Sequence, residues 1–287
     1  MFVTEIISRV NDLKTLVRHA KQAGKLVGLV PTMGYLHEGH LTLMRQARGE
    51  NSLVVASIFV NPLQFGPSED YAAYPRNFER DSRLAAAAGV DILFVPEVAE
   101  MYPHGAENML TMVEVHHISD RLCGESRRGH FRGVATVVCK LFNLVEPDAA
   151  YFGQKDAQQV VVIKRMVEDL NMNLRIVVVP IVREPDGLAM SSRNVYLDEK
   201  ERQAALVLYE ALMLAKEKLT SGLCDAEQIV RMMSELIGRQ PLAKIDYISI
   251  SDSEMLDELA VVDRPVLIAL AVRIGQTRLI DNMLWEG

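Results

Sequence analysis

Cysteine is scarce. The three in this 287-residue chain, Cys123, Cys139 and Cys224, show neither CxxC spacing nor the density of a disulfide framework, which makes a reducing cytoplasm the expected home. Long apolar runs are missing too. Stretches such as VLIALAV fall far short of a membrane span. The opening MFVTEIISRVNDLKTLVRHAKQ scatters charges through an amphipathic pattern, so it reads as helix and not as a signal peptide. There is no surplus of positive charge. A net charge of −7 gives no general attraction to nucleic acid or to an anionic membrane, so any anionic ligand must be met by a local cluster. Neither GxxxxGK with a following Ser or Thr, nor GxGxxG after a strand, is present, which disfavours a P-loop kinase and a dinucleotide-dependent dehydrogenase. Internal repeats and low-complexity tracts are also absent.

What the chain does have is alternation. KLVGLV, the helical HLTLMRQARGEN and SLVVASIFV read as a βαβ unit. The series continues through FERDSRLAAAAG, VDILFVP, TMVEVHHI, GVATVVCKLFNLV, DAAYFG, DAQQVVVIKRMVEDL and RIVVVPIV. Strands apolar almost throughout are expected to be covered on both faces, so this is a doubly wound α/β domain with a parallel sheet, its ligand at the carboxyl ends of the strands. After Arg183-Glu184-Pro185-Asp186-Gly187 the texture changes to two long helical patterns, capped by Asp198 with Glu201 and by Asp225 with Gln228, and then to three strand-like segments. The expected division is residues 1–183 and a smaller α+β domain of residues 184–287.

The stretch PTMGYLHEGH sets His37 and His40 three residues apart, on one face if a helix opens at Gly39-His40. Helix N-termini favour anions, Gly39 admits a phosphate close to the backbone, and two imidazoles supply donors for charge that builds during phosphoryl or nucleotidyl transfer. Two plainer readings compete: surface histidines at a helix start, or a metal pair, although the zinc-protease spacing is HExxH. Lys155 follows a strand on the sheet edge expected to carry the histidines and can meet a triphosphate as a point charge, while Asp156 and Gln159 also fit a capping box. Ser191, Ser192 and Arg193 can bind phosphate from a loop or simply form a polar loop. Asn61 and Gln64 can orient a hydroxyl or carboxylate. Arg121, Arg127, Arg128, His130 and Arg132 form the densest positive cluster, read as an anion site, a dimer contact or, most simply, a solvated loop.

In their order, PTMGYLHEGH, NPLQF, RGHFRGV, KLFN, PDAAYFGQKDAQQ and MSSRN resemble the motif set of the pantothenate synthetase (pantoate–β-alanine ligase) family along essentially the whole chain. HxGH alone would place the chain only in the broad nucleotidyltransferase superfamily. The resemblance implies a cytoplasmic homodimer with a Rossmann-like N-terminal domain and a smaller C-terminal domain closing over the active site. It further implies that ATP and (R)-pantoate give pantoyl adenylate and pyrophosphate with Mg2+, after which β-alanine displaces AMP to form pantothenate. By the same resemblance Met33, Gly34, Tyr35, Leu36, His37, Glu38, Gly39 and His40 bind ATP, with His40 the proton donor and His37 stabilising the transferring phosphate. Gly153, Gln154, Lys155, Asp156, Val182, Met190, Ser191, Ser192 and Arg193 complete the ATP site, Lys155 and Arg193 acting with the histidines. Gln64 and Gln159 hold pantoate, with Gln64 also near β-alanine, and Asp81 is a magnesium contact. The chain departs from the usual family pattern at Arg128, where Pro is common, and at Gln154, where Glu is common.

Overall fold

A computed structural model of the chain describes residues 4–67 and 69–287. It divides into two compact units: one of residues up to Asp120 with Gly124–Gly153 and Val162–Val179, the other of Arg121–Cys123, Gln154–Val161 and Pro180–Gly287.

The first unit is built on six parallel strands in the order β1-β4-β3-β2-β5-β6. These are β1 (Glu5–Ile7), β2 (Val27–Thr32), β3 (Leu53–Ile58), β4 (Ile92–Phe94), β5 (Ala149–Gly153) and β6 (Arg175–Val179). The helices between them are α1 (Val10–Gln22), α2 (Glu38–Glu50), α3 (Phe78–Ala87), the single turns α4 (Val98–Met101) and α5 (Cys123–Ser126), α6 (His130–Val145) and α7 (Ala157–Asp169). Strands β2 and β3 are buried almost throughout, as their unbroken apolar sequence requires, and Met44 and Ala47 of α2 pack with Val30 and Val54 in one core. The chain runs outward from β2 through β3 to β4 and then returns to lay β5 on the other side of β2. The reversal makes the carboxyl ends of β2 and β5, at Thr32 and Gly153, the topological switch point where such sheets bind ligands.

In the second unit α8 (Glu199–Ala205), α9 (Val207–Thr220) and α10 (Ala226–Gly238) share a core with the antiparallel meander β7 (Ala243–Asp252), β8 (Val266–Ile274) and β9 (Thr277–Trp285). The expected caps form: Asp198 and Glu201 make a reciprocal capping box, and Asp225 Oδ1 accepts from the Gln228 N–H at 2.8 Å.

Three local expectations are corrected. The opening segment does not run as one helix: Glu5–Ile7 forms β1, paired with Ile92–Phe94, because the sheet edge offers these residues a parallel partner; residues 1–3 of that reading lie outside the described part. TMVEVHHI is irregular and joins no sheet. The Val113 N–H is instead satisfied by Thr136 Oγ1 of α6 at 3.0 Å, and Val115 and Ile118 are buried. The long pattern from Asp198 runs as two helices meeting at Leu206.

Candidate active site

The turn after β2 is held from three sides. Thr32 Oγ1 donates to the Ser57 carbonyl at 2.6 Å and accepts from the Gly34 N–H at 3.1 Å. Gly34 and Tyr35 follow at φ 82° and 49°, both left-handed, and a Cβ on Gly34 would stand 2.9 Å from Ile58 Cγ2 and 3.1 Å from Asp81 Oδ2. Asp81, only 1% exposed on α3, accepts from the Tyr35 N–H at 2.6 Å and the Leu36 N–H at 2.8 Å. Arg80 stacks over the Tyr35 ring at 5.3 Å and reaches Asp81 Oδ1 at 3.4 Å. The buried Asp81 carboxylate thus faces two N–H dipoles and a guanidinium, and through them it holds the turn.

The helix opens one residue earlier than expected. α2 begins at Glu38, and His37, in extended backbone at φ −134° and ψ 175°, is its cap. His40 therefore occupies the third helical position, where its Nδ1 accepts from the His37 N–H at 3.3 Å, a histidine version of the capping box. That bond fixes the tautomer: an Nδ1 that accepts carries no proton, so the neutral ring bears its proton on Nε2. The two rings lie 4.0 Å apart, centroid to centroid, with their planes at 43°. Gly39 makes the pairing possible, since a Cβ there would stand 2.9 Å from His37 Cε1 and 3.0 Å from His37 Nδ1. Its missing side chain thus accommodates the neighbouring imidazole, a use not anticipated from the sequence. Glu38 turns outward to pair with Arg45, which holds its carboxyl below the usual range.

A chain of amides extends from the same turn. Gln64 Nε2 lies 3.2 Å from Met33 Sδ, and its Oε1 accepts from Asn61 Nδ2 at 3.1 Å. Asn61 is 1% exposed; its Nδ2 also donates to the Gly133 carbonyl at 3.1 Å, and its Oδ1 accepts from the Tyr102 hydroxyl at 2.7 Å. Burial pushes the Tyr102 phenol well above its ordinary range, so it remains a donor. Gly133 lets this segment approach α6, because a Cβ would fall 2.2 Å from the Leu63 carbonyl oxygen.

The positive cluster is not simply a solvated loop. Arg127 pairs with both Glu69 oxygens, at 2.7 and 2.6 Å, and His130 Nδ1 meets the Gln64 carbonyl at 2.8 Å, so these two residues brace the segment carrying Gln64. Arg128 and Arg132 are exposed, as a solvated reading requires, and Arg121 pairs with Asp257.

The remaining candidates lie at the end of β5 and in the second unit. Gly153 ends β5, and Gln154-Lys155-Asp156 forms a 3-10 turn leading into α7. Lys155 Nζ lies 3.6 Å from Asp156 Oδ1, and Gln159 is half-buried in the first turn of α7. The Val182 carbonyl accepts from the Met190 N–H at 3.0 Å, closing a loop strengthened by the bridge between Arg183 and Ala189. Arg183 forks onto the buried Asp281 at 2.6 and 2.9 Å and stacks over Tyr209 at 4.4 Å. Ser191 caps the short helix Ser192–Tyr196 by accepting from the Arg193 N–H at 3.2 Å, while Ser192 is buried and Arg193 half-buried.

Residues 5–284 match the family model described as pantoate-beta-alanine ligase. The chain belongs to the pantoate–β-alanine ligase family. It is 57% identical over 281 residues to a pantothenate synthetase of Heliobacterium modesticaldum, covering 98% of this chain and 99% of that one. A pantothenate synthetase of Thermotoga petrophila is 54% identical over 280 residues, with 98% and 99% covered. Among solved structures, a pantothenate synthetase of Thermus thermophilus superposes with a TM-score of 0.92 at 47% identity, covering 98% of this chain and 99% of that one. The pantoate-beta-alanine ligase of Francisella tularensis, solved with beta-gamma ATP and beta-alanine, gives 0.80 at 36% identity, with 98% of each chain covered.

Of the two departures from the usual pattern of pantoate–β-alanine ligases, Arg128 is exposed, and Gln154 Nε2 donates to Asn282 Oδ1 at 2.9 Å. Among the described residues this ligase has no group of three or more His, Cys, Asp or Glu side chains arranged to hold a metal ion. No helix among the described residues is long and apolar enough to cross a membrane.

Proposed function

We propose that this ligase condenses (R)-pantoate with β-alanine in two steps on bound ATP. A carboxylate is a poor electrophile toward an amine near neutral pH. Attack of the pantoate carboxylate on the α-phosphorus breaks the bond to pyrophosphate and leaves a mixed anhydride with AMP. The amine of β-alanine then adds at the carbonyl carbon, and AMP departs with the electron pair of the C–O bond.

The protein's work is positioning and charge neutralisation. The observation that carries the reading is the His37–His40 pair at the N-terminus of α2, where the positive end of the helix dipole already favours an anion. His40, with its proton on Nε2, is the donor to the phosphate oxygens, and His37 stabilises the transferring phosphate. Lys155 and Arg193 neutralise the departing pyrophosphate. Residues Met33–His40, Gly153–Asp156, Val182 and Met190–Arg193 hold the nucleotide, and Gln64 and Gln159 hold pantoate. Magnesium accompanies the triphosphate and adds positive charge to it; no step is assigned to a protein-bound ion. Residues 184–287 act as the domain that closes over the bound substrates. The protein works as a homodimer in the cytoplasm, a setting that suits three cysteines outside any disulfide.

Incubation with ATP and pantoate alone is expected to release pyrophosphate up to one equivalent of enzyme, and adding β-alanine is expected to release AMP and restore turnover. Pyrophosphate release that depends absolutely on β-alanine, or AMP retained on the product, contradicts the two-step reading.

A further inference from the structure

Strand β9 places two successive polar residues, Asp281 and Asn282, in buried positions, each 3% exposed. Successive strand residues point to opposite faces. Asp281 receives Arg183, next to Val182, whereas Asn282 serves the turn that carries Lys155. Asn282 Nδ2 donates to the Gln154 carbonyl at 3.0 Å and to the Lys155 carbonyl at 2.9 Å. Its Oδ1 accepts from Gln154 Nε2 at 2.9 Å. The amide can sit only one way round, because the reverse would aim its oxygen at two carbonyl oxygens. Both donor hydrogens are then committed, and Oδ1 needs a donor from elsewhere. Gln154 supplies one; an ionised Glu in its place would have none to give. Gln154 and Asn282 are therefore a matched pair in this chain.

From this we propose that Asn282 is a positioning residue for Lys155: it fixes the backbone from which the ammonium extends, so the C-terminal strand sets the cation of the nucleotide site. The proposal rests on the reading that Lys155 meets the phosphates of ATP. A lysine is a point charge on a long flexible stem, and its reach is defined only as well as its backbone is held.

Single-turnover formation of pantoyl adenylate by the full-length protein tests it, using Asn282→Asp, Lys155→Ala and the double variant. Asn282→Asp keeps the shape and the acceptor but removes the two donors. It is expected to fold with the wild-type circular dichroism spectrum and to slow adenylation by ~10–100-fold, the range that a displacement of about an ångström produces. If Asn282 acts through Lys155, the double variant is no slower than Lys155→Ala alone. Should Asn282→Asp not fold, Gln154→Leu removes the donor to Oδ1 and is expected to show the same loss of additivity with Lys155→Ala. A wild-type rate in the Asn282 or Gln154 variant, or losses that multiply with that of Lys155→Ala, overturns the proposal. A wild-type rate in Lys155→Ala itself overturns the assigned role of Lys155 instead.

Discussion

Asp81 accepts the Tyr35 N–H at 2.6 Å although the two residues stand 46 apart in sequence. Through that contact and its neighbour at Leu36, α3 holds a turn in which Gly34 and Tyr35 are left-handed, and the turn places His37 as the cap of α2. Replacing Asp81 by Ala leaves two N–H groups without their acceptor, at a cost of about 1–3 kcal/mol for each that stays buried. We predict a lower urea midpoint and weaker ATP binding in Asp81→Ala, with the magnesium concentration for half-maximal rate unchanged. A large rise in that concentration, with normal stability, would instead make Asp81 a metal contact.

Gly39→Ala separates stability from activity. Alanine at a helical position is favoured over glycine by about 1 kcal/mol, so stability should hold or rise. The new Cβ, however, meets only the movable His37 ring, at 2.9 Å, and pushes it aside. A reduction of adenylation by ~10-fold or more at undiminished melting temperature is expected, since misplacing a positioned group by an ångström costs up to about that factor squared. Equal rates in the two proteins would show that the His37 position does not matter to the chemistry.

Glu69 predicts an acid limb. Burial pushes its carboxyl up, but the Arg127 guanidinium overrides this, and the group titrates below the usual carboxylate range. A carboxylate with a depressed folded value stabilises fully above its unfolded value, roughly pH 4, and loses that contribution as pH falls through the folded one. The melting temperature of Glu69→Gln should therefore lie below wild type at neutral pH, with the gap closing under more acidic conditions. A gap independent of pH would mean that the pair contributes through packing alone.

His40 offers a direct test of the donor role. His40→Ala should slow pantoyl-adenylate formation by ~10²–10³-fold, the loss typical of a transition-state donor. Because His40 Nδ1 also accepts the cap N–H of His37, His40→Asn, which can keep that acceptor while losing the Nε2 donor, should be similarly slow but more stable than His40→Ala. A wild-type single-turnover rate in either variant would remove His40 from the chemistry.

Much of this site could be read along the chain because its signals are local. His37, Gly39 and His40 are neighbours in sequence, and unbroken apolar runs revealed the parallel strands on either side. What supports them was not legible. Asp81, Tyr102 and Asn282 reach the turns they hold from distant elements, and a single polar residue inside a helix or strand carries no periodic mark. TMVEVHHI misled for a related reason: its alternating β-branched residues suit a strand, yet no sheet edge reaches them and Thr136 takes up a backbone donor.

The two-step condensation requires the carboxylate of pantoate to attack the α-phosphorus of ATP. Pantoate labelled with heavy oxygen in its carboxylate, converted to completion with ATP and β-alanine, reports on this directly. Attack at the α-phosphorus followed by cleavage at the carbonyl carbon must leave one labelled oxygen in the phosphate of AMP. Label found in inorganic phosphate with ADP as co-product, or AMP free of label, would contradict the account.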